Sequence, residues 1–252
     1  PWFKPANTIL EYDEQGHARW FTDGEMNICH AALDHHVEHG RGDQPAIYWD
    51  SPVTASKRTI TYRELLDQVA RFAGALKELG VEKGDRVVLY MPLVPEALVA
   101  MYACARLGAV HSVVFGGFAP NELAVRIEDA QPKVVVAASC GVEVDRVIPY
   151  KPNIDAAVEL SSHKPDACVI FQREQLLGEM GPRDHDWAEL ISQSAPAECV
   201  AVKGGDPLYV LYTSGTTGKP KGVVRDTAGY AVALHYSMEA IYQMEPGEVF
   251  FS

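Results

Sequence analysis

From about residue 59 to residue 171 the sequence alternates short apolar runs with amphipathic segments, and this alternation constrains the fold more than any other feature. Runs rich in β-branched residues that alternate with helical patterns are typical of parallel βαβ units, whose helices cover both faces of the sheet. The predicted fold class is therefore α/β. Strands are predicted at 86–90, 110–115, 133–138 and 168–171, and helices at 62–79, 95–107, 120–130 and 152–162.

Local signals set the ends of the first two helices. Thr61 and Glu64 have the spacing of a capping box, and Gly80 favours a stop after the last apolar residue. Pro95 stands at a favoured first-turn position, and Gly108 marks the end of the second helix. Ligands of such sheets bind at the carboxyl ends of the strands, so the loop Phe115-Gly-Gly-Phe118 is either a simple turn or part of a binding site.

A second feature is a polar loop between two apolar strands, predicted at 208–212 and from 223 onward. Its glycines let the backbone approach an oxyanion, and its hydroxyl and ammonium groups suit a polyphosphate. A Walker A loop is excluded, because Gly215 and Gly218 are only three positions apart and Pro220 follows Lys219. An ordinary polar hairpin turn stays open as the alternative. The candidate phosphate-binding residues are Thr213, Ser214, Gly215, Thr216, Thr217, Gly218, Lys219 and Lys221.

Composition restricts the partners. The net charge of 22 − 34 = −12 argues against nucleic acid and against an anionic membrane surface. No apolar run approaches membrane-spanning length, and the 47% of apolar residues is ample for a core. Five scattered cysteines without a CxxC pair predict reduced thiols, and hence a cytoplasmic protein, or a mitochondrial one if an upstream targeting segment has been removed.

No metal site is predicted. His35 and His39 share one helix face, but the run His35-His-Val-Glu-His39 suggests a solvent-exposed helix surface without an evident third ligand.

The run Tyr212-Thr-Ser-Gly-Thr-Thr-Gly-Lys-Pro-Lys-Gly222 resembles the phosphate-loop signature of the adenylate-forming superfamily, which includes acyl-CoA synthetases and luciferases. Three further stretches are similar to short-chain acyl-CoA synthetases, and the similarity extends over essentially the whole chain. They are Trp20-Phe-Thr-Asp-Gly-Glu-Met-Asn27, His111-Ser-Val-Val-Phe-Gly-Gly-Phe-Ala-Pro120 and Val223-Val-Arg-Asp-Thr-Ala-Gly-Tyr-Ala-Val-Ala-Leu234. Arg225-Asp226 resembles propionyl-CoA synthetases more than acetyl-CoA synthetases.

The resemblance implies an acid–thiol ligase that uses ATP with Mg²⁺, a short carboxylate and CoA. The Arg225-Asp226 pair implies propionate as the carboxylate. The loop would hold the β- and γ-phosphates, with Thr213 and Lys221 as catalytic residues. Gly116 and Gly117 would lie near the CoA channel, and Arg146, expected at a helix start, would contact the CoA 3′-phosphate. Glu143 stands where acetyl-CoA synthetases carry another arginine. An acetyl-CoA synthetase, another adenylate-forming ligase and a non-catalytic nucleotide-binding module remain alternatives.

The same resemblance divides the chain into an irregular N-terminal layer at 1–55, a first α/β subdomain at 56–200 and the start of a second at 201–252. A helix is predicted at 227–242 and an apolar strand from Glu248, with no continuation to complete its core. We therefore expect the N-terminal part of the large domain of a longer enzyme. The acyl pocket, the residues for adenine and ribose, and a late catalytic lysine would follow Ser252, and the chain would need that C-terminal part for activity.

Overall fold

The structure is a computed structural model that describes residues 1–213 and 220–251. Its strands are β1 (Leu10–Tyr12), β2 (Ala18–Trp20), β3 (Glu25–Met26), β4 (Pro45–Ser51), β5 (Ser56–Thr61), β6 (Arg86–Met91), β7 (Val110–Phe115), β8 (Val134–Ala138), β9 (Cys140–Glu143), β10 (Arg146–Pro149), β11 (Ala167–Phe171), β12 (Asp184–Asp186), β13 (Val202–Lys203), β14 (Pro207–Thr213) and β15 (Lys221–Asp226). Its α-helices are α1 (Tyr62–Glu78), α2 (Pro95–Leu107), α3 (Pro120–Ala130), α4 (Lys151–Leu160), α5 (Trp187–Gln193) and α6 (Thr227–Tyr236).

A seven-stranded sheet forms the centre of the molecule, in the order β12-β11-β8-β6-β7-β14-β15. All neighbouring pairs are parallel except β14 and β15, which form an antiparallel hairpin at one edge. Side chains of a strand alternate between the two faces, so the continuously apolar strands β6, β8 and β11 are buried on both. The predicted α/β class with a mainly parallel sheet is confirmed.

Helices cover both faces of this sheet, as expected. On one face α1, α2 and α5 pack on alternate residues such as Val87, Val136 and Val169. On the other face α3 and α4 pack on the intervening residues, including Val88 and Ile170. Burying one such side chain contributes about 1.5–3 kcal/mol, so the two layers provide most of the driving force for this part of the fold.

The caps of the first two helices match the sequence signals. Thr61 and Glu64 form a reciprocal capping box at the start of α1, and Gly80, with a φ of 82°, follows its end. Pro95 opens α2, and Gly108 closes it with a φ of 68°. Positive φ is accessible to glycine without a steric penalty, so both helices end where the chain can reverse.

Short antiparallel pairs surround the sheet near the N-terminus. β1 pairs with β2, β4 with β5, and β3 with the distant β13. The proposed boundary at 55 falls in the turn of the β4–β5 hairpin, and β14, beyond the proposed boundary at 200, joins the same sheet as β7. The three-part division of the chain stays a prediction.

Two local expectations were wrong. Residues 248–251 form no strand, since a strand requires a neighbour and none pairs with them in the described part of the chain. Arg146 begins β10 rather than a helix, because it pairs with Glu143 across a hairpin. The helix predicted at 227–242 is present, as α6 to Tyr236 and then as a π-helical turn at Ser237–Ile241. The short strand β12, which adds to the sheet beside β11, was not among the predicted strands.

Candidate functional site

The phosphate-loop sequence connects β14 to β15, which pair as an antiparallel hairpin. Thr213 and Lys221 are register partners across this hairpin, and the Thr213 Oγ1 hydroxyl donates to the Lys221 carbonyl at 3.5 Å. The two predicted catalytic residues are therefore brought together, at the base of the loop and with both side chains exposed. The other predicted phosphate ligands, Ser214, Gly215, Thr216, Thr217, Gly218 and Lys219, lie outside the described residues.

The described base of the loop, Thr213 and Lys221, lies at the carboxyl edge of the sheet. β14 runs parallel to β7 with Tyr209 opposite His111, so Thr213 and Phe115, each four residues further on, end their strands at the same edge. Gly116 and Gly117 follow Phe115 directly. The candidate phosphate and CoA loops thus leave neighbouring strands at the edge where ligands of parallel sheets bind.

Tyr212 anchors the phosphate hairpin to α3, a contact that sequence reasoning missed. Its hydroxyl donates to Asp129 Oδ2 at 2.6 Å, and the Arg126 guanidinium lies 5.7 Å from its ring centroid. Partial burial, and then the hydrogen bond to Asp129, raise the pKa of Tyr212, which keeps the phenol protonated as a donor. Because Tyr212 directly precedes Thr213, this bond fixes the strand from which the loop leaves.

The glycine pair lies beside the hairpin that carries Arg146. A Cβ on Gly116 would lie 2.5 Å from the Tyr150 hydroxyl oxygen, and one on Gly117 would lie 3.6 Å from Glu143 Oε1. Glu143 in turn forms an exposed ion pair with Arg146, with 3.1 Å between Oε2 and Nη2. The Gly116–Gly117 turn and the β9–β10 hairpin therefore form one surface. Gly116 is required sterically, because Tyr150 occupies the space of any larger side chain.

Glu143 changes the electrostatics of this surface. It neutralises Arg146, whose side chain is 72% exposed, so a bound phosphate would have to compete with the carboxylate for the guanidinium. Arg146 remains the side chain on this hairpin that could recognise an anion, but its position alone does not distinguish a CoA contact from a surface ion pair.

Asp226 has a structural role at the other end of β15. Its carboxylate accepts a hydrogen bond from the Gly229 backbone N–H at 3.1 Å and caps α6. The Arg225-Asp226 pair, which resembles propionyl-CoA synthetases, is thus partly explained by the requirements of a helix start.

Two groups of side chains have the proximity needed for a metal ion. One consists of Cys29, Asp34 and Cys199, and the other of His35, Glu38 and His39; in each the candidate ligand atoms lie within 4.8 Å of one another. Glu38 is the third donor that sequence reasoning overlooked, although it lies one helical turn after His35. Neither group is adjacent in sequence to the phosphate or glycine loops.

Comparisons with known proteins agree with this arrangement. The model of a family described as AMP-binding enzyme matches residues 33–252, and a model described as acetyl-coenzyme A synthetase N-terminus matches residues 1–32. The fold is of the α/β class with a mainly parallel sheet, and one of its hairpins carries the glycine- and threonine-rich sequence. The chain belongs to the AMP-binding enzyme family.

Individual relatives are longer than this chain. An uncharacterized protein of Pseudomonas aeruginosa is 55% identical over 251 residues, covering 99% of this chain and 40% of that protein. The human acyl-CoA synthetase short-chain family member 3, mitochondrial, is 49% identical over 253 residues, covering 100% of this chain and 37% of that protein. The chain therefore spans roughly two fifths of the length of these relatives.

A solved structure shows the same architecture. Acetoacetyl-CoA synthetase from Streptomyces lividans matches with a TM-score of 0.90 and 27% identity, over 100% of this chain and 38% of that one. The predicted resemblance to short-chain acyl-CoA synthetases is confirmed at the level of family and fold.

Proposed function

We propose that this chain provides the phosphate-binding part of a ligase that joins a short carboxylic acid to CoA through an acyl-adenylate. The observation that supports this most directly is the cross-strand pairing of Thr213 with Lys221 at the base of the glycine- and threonine-rich loop. That pairing presents a hydroxyl and an ammonium group at the carboxyl edge of the sheet. Family membership and the names of the relatives support the same reaction class.

In the first half-reaction a carboxylate oxygen attacks the α-phosphorus of ATP and pyrophosphate leaves; in the second, the CoA thiol attacks the acyl carbon and AMP leaves. Negative charge accumulates on the departing pyrophosphate, so a nearby ammonium group stabilises the transition state. Lys221 is proposed for this role, because it makes no ion pair with any carboxylate within residues 1–213 and 220–251. Thr213 is proposed to donate its hydroxyl to a phosphate oxygen.

Mg²⁺ is proposed to enter with the nucleotide, since this cation prefers phosphate oxygens and water to a cage of protein ligands. The Thr213 hydroxyl oxygen is proposed as a ligand of this ion, because its hydrogen bond to the Lys221 carbonyl, at 3.5 Å, is weak. The ion would neutralise phosphate charge.

The CoA site is proposed at the surface formed by Gly116, Gly117 and Arg146. Its support is the contact between the glycine turn and the hairpin through Tyr150 and Glu143. Arg146 would bind the 3′-phosphate after exchanging its carboxylate partner for the ligand.

Propionate is proposed as the acid, on the Arg225-Asp226 resemblance, with acetate as the alternative that the N-terminal family model suggests. The structural role of Asp226 in capping α6 weakens the distinction, so the acid has to be measured.

The remaining part of the proposed enzyme would be supplied by further sequence of the kind that its relatives contain. Exposed apolar side chains on the phosphate hairpin and beyond α6 support this proposal: Val224 is 56% exposed and Phe251 is 95% exposed. No helix among the described residues is long and apolar enough to cross a bilayer. The cytoplasm is the proposed compartment, with the mitochondrial matrix as the alternative suggested by the name of the human relative.

The test uses the chain joined to the further sequence found in its relatives. Acid-dependent exchange of pyrophosphate into ATP is measured for the unmodified enzyme with acetate, propionate and butyrate. Replacing Thr213 and Lys221 together by alanine should reduce exchange at least a hundredfold, since removal of a single such donor costs about 2–4 kcal/mol of transition-state stabilisation.

The matched control replaces Thr59 and Lys77 by alanine, two exposed residues on β5 and α1. This variant should keep the exchange rate of the unmodified enzyme. Unchanged exchange in the Thr213 and Lys221 variant would refute the assigned roles, and exchange without any added acid would refute the ligase.

A further inference from the structure

Two cysteines separated by most of the chain lie next to each other beneath the N-terminal segments. Their Sγ atoms, together with a carboxylate oxygen of Asp34, lie within 4.8 Å of one another. Cys29 is fully buried, and Cys199 is partly exposed. Cys199 is therefore the more accessible residue of the pair.

The Asn27 side chain joins the two backbones, and main-chain hydrogen bonds anchor the Cys199 segment further. Buried Asn27 accepts a hydrogen bond from the Cys29 N–H at 2.8 Å and donates from Nδ2 to the Val200 carbonyl, also at 2.8 Å. The Val200 N–H donates to the Arg106 carbonyl at 3.0 Å, and the Ala197 N–H donates to Ala70 at 2.8 Å. The proximity of the sulfurs thus follows from anchored main chain rather than from flexible surface loops.

Arg106 sets the charge around the pair. Its Nη1 lies 3.7 Å from the Cys29 sulfur and 2.8 Å from Asp34 Oδ2. A guanidinium beside a sulfur stabilises the thiolate, the form that reacts with disulfides. It also disfavours a metal cation, because the ion would have to displace Arg106 from Asp34 and lie beside a positive charge.

We propose that Cys29 and Cys199 are a redox-modifiable dithiol that low-molecular-weight disulfides convert to an intrachain disulfide. The new bond would connect the segment that follows β3 to the segment that precedes β13. Those segments already touch through Asn27, so the cross-link would lock an existing contact. Its formation would not depend on the proposed ligase activity.

The chemistry proceeds by two exchanges. The Cys199 thiolate attacks one sulfur of a small disulfide, forming a mixed disulfide and releasing one small thiolate, which takes up the proton that Cys199 lost. The Cys29 thiolate then attacks the Cys199 sulfur and releases the second small thiolate, which takes up the Cys29 proton. The protein loses two electrons and two protons, and the small disulfide is reduced to two thiols.

The order of the two steps follows from exposure and from pKa. The hydrogen bond with Cys199, followed by burial, raises the pKa of Cys29. The Arg106 guanidinium, 3.7 Å from the Cys29 sulfur, favours the Cys29 thiolate in the second step. Cys199 is therefore the attacking residue and Cys29 the resolving one.

The experiment incubates the folded protein with oxidised glutathione, blocks the remaining thiols after denaturation, and maps the peptides by mass spectrometry. We expect the number of free thiols to fall by two from the original five, with one cross-linked peptide containing Cys29 and Cys199. Cys104, Cys140 and Cys168, which are buried, should stay reduced and serve as internal controls. Cys140→Ala is the matched variant and should form the same cross-link.

Two further variants separate the roles. Cys29→Ala should accumulate a glutathione adduct on Cys199, and Cys199→Ala should leave Cys29 reduced. Far-UV circular dichroism establishes that each variant is folded; if Cys29→Ala does not fold, Cys199→Ala alone decides, because its site is partly exposed. Equal oxidation of Cys29 in Cys199→Ala, or no cross-link in the unmodified protein, would overturn the proposal. One equivalent of bound Zn²⁺ that protects both thiols from oxidation would also overturn it, by showing a metal site instead.

Discussion

His111 makes this protein sensitive to acid through a single residue. It lies on β7, next to the middle strand of the sheet, is 5% exposed, and its Nδ1 has no hydrogen-bond partner in the described residues. Burial lowers its pKa from 6.5 to about 4. The folded protein therefore keeps the imidazole neutral at pH values where an unfolded chain would already be protonated.

The direction of the pH effect follows from proton linkage. Between pH 6.5 and about 4 the unfolded chain binds one proton more than the folded chain, so the free energy of unfolding decreases as the pH falls through this window. The full effect of one such group is up to about 3 kcal/mol, at about 1.4 kcal/mol per pKa unit. His111→Phe should remove this part of the pH dependence.

Urea denaturation at pH 7 and pH 4.5 measures the effect directly. His235→Phe is the control, because His235 is exposed and forms no ion pair among the described residues, so this variant should lose stability in acid as the unmodified protein does. An identical loss of stability at pH 4.5 in His111→Phe and in the unmodified protein would contradict the role of His111.

Arg146 gives a second prediction for a single residue. In the chain joined to the further sequence of its relatives, Arg146→Ala should raise the KM for CoA about tenfold, the loss of one charge-assisted hydrogen bond. Pyrophosphate exchange should be unchanged, because the 3′-phosphate acts only in the thioester step. Glu143→Gln should lower the KM, since it removes the carboxylate that occupies Arg146 at 3.1 Å.

Dephospho-CoA provides the control for this contact. It lacks the 3′-phosphate, so its KM should be insensitive to both substitutions. If Arg146→Ala shifts the KM values of CoA and dephospho-CoA equally, the residue is a surface charge and the proposed phosphate contact is wrong.

Among the elements, α1 offers the clearest test of a local sequence signal. The Thr61 hydroxyl accepts from the Glu64 N–H at 3.2 Å, and the Glu64 carboxylate accepts from the Thr61 N–H at 2.8 Å. Thr61→Ala removes one half of this box and should lower the free energy of unfolding by about 1 kcal/mol. Thr59→Ala, on the exposed side of β5, is the matched control and should change stability by less than about 0.5 kcal/mol in the same urea titration. Equal losses in the two variants would show that the capping box does not stabilise α1.

Elements with local signals could be predicted from the sequence, and elements that depend on a distant partner could not. α1 and α2 carry their own caps, and β6 and β8 are apolar on both faces, so their positions follow from nearby residues. β12 contains Asp184, His185 and Asp186, and forms a strand only because β11 offers an open edge. The predicted strand from Glu248 failed for the converse reason, since apolar residues without a neighbouring strand do not form one.

The candidate site shows the same division. The loop composition indicated Thr213 and Lys221, and the hairpin register places them opposite each other. The hydrogen bond from Tyr212 to Asp129 joins residues 83 positions apart, and the proximity of Cys29 to Cys199 depends on Asn27. Neither contact could be predicted from the spacing of residues in the sequence. Glu38 is different: its position one turn after His35 was readable from helical geometry.

At the scale of the whole molecule, β12 forms one edge of the central sheet and the hairpin of β14 and β15 forms the other. This hairpin exposes apolar side chains, with Leu211 at 48% and Val224 at 56%. The phosphate hairpin therefore borders a surface that further protein could cover. Thr213 and the glycine turn, which belong to two proposed functional parts, lie at this side of the sheet because β7 and β14 are neighbours.

The last prediction is that the 252-residue chain by itself forms no acyl-CoA. Catalysis requires the acid, the nucleotide and CoA to be held in reactive geometry, and positioning of this kind contributes about 7–11 kcal/mol to the acceleration of such reactions. The described residues offer candidates for the phosphate and CoA contacts, but the relatives are more than twice as long as this chain.

AMP release is measured with ATP, Mg²⁺, CoA and acetate or propionate, for the chain alone and after co-expression with the remaining sequence of a relative. Restoration of activity by co-expression is expected, because the exposed apolar edge beside Val224 provides a surface on which the second piece can pack. Steady AMP release by the chain alone, dependent on both acid and CoA, would show that 252 residues suffice for the reaction.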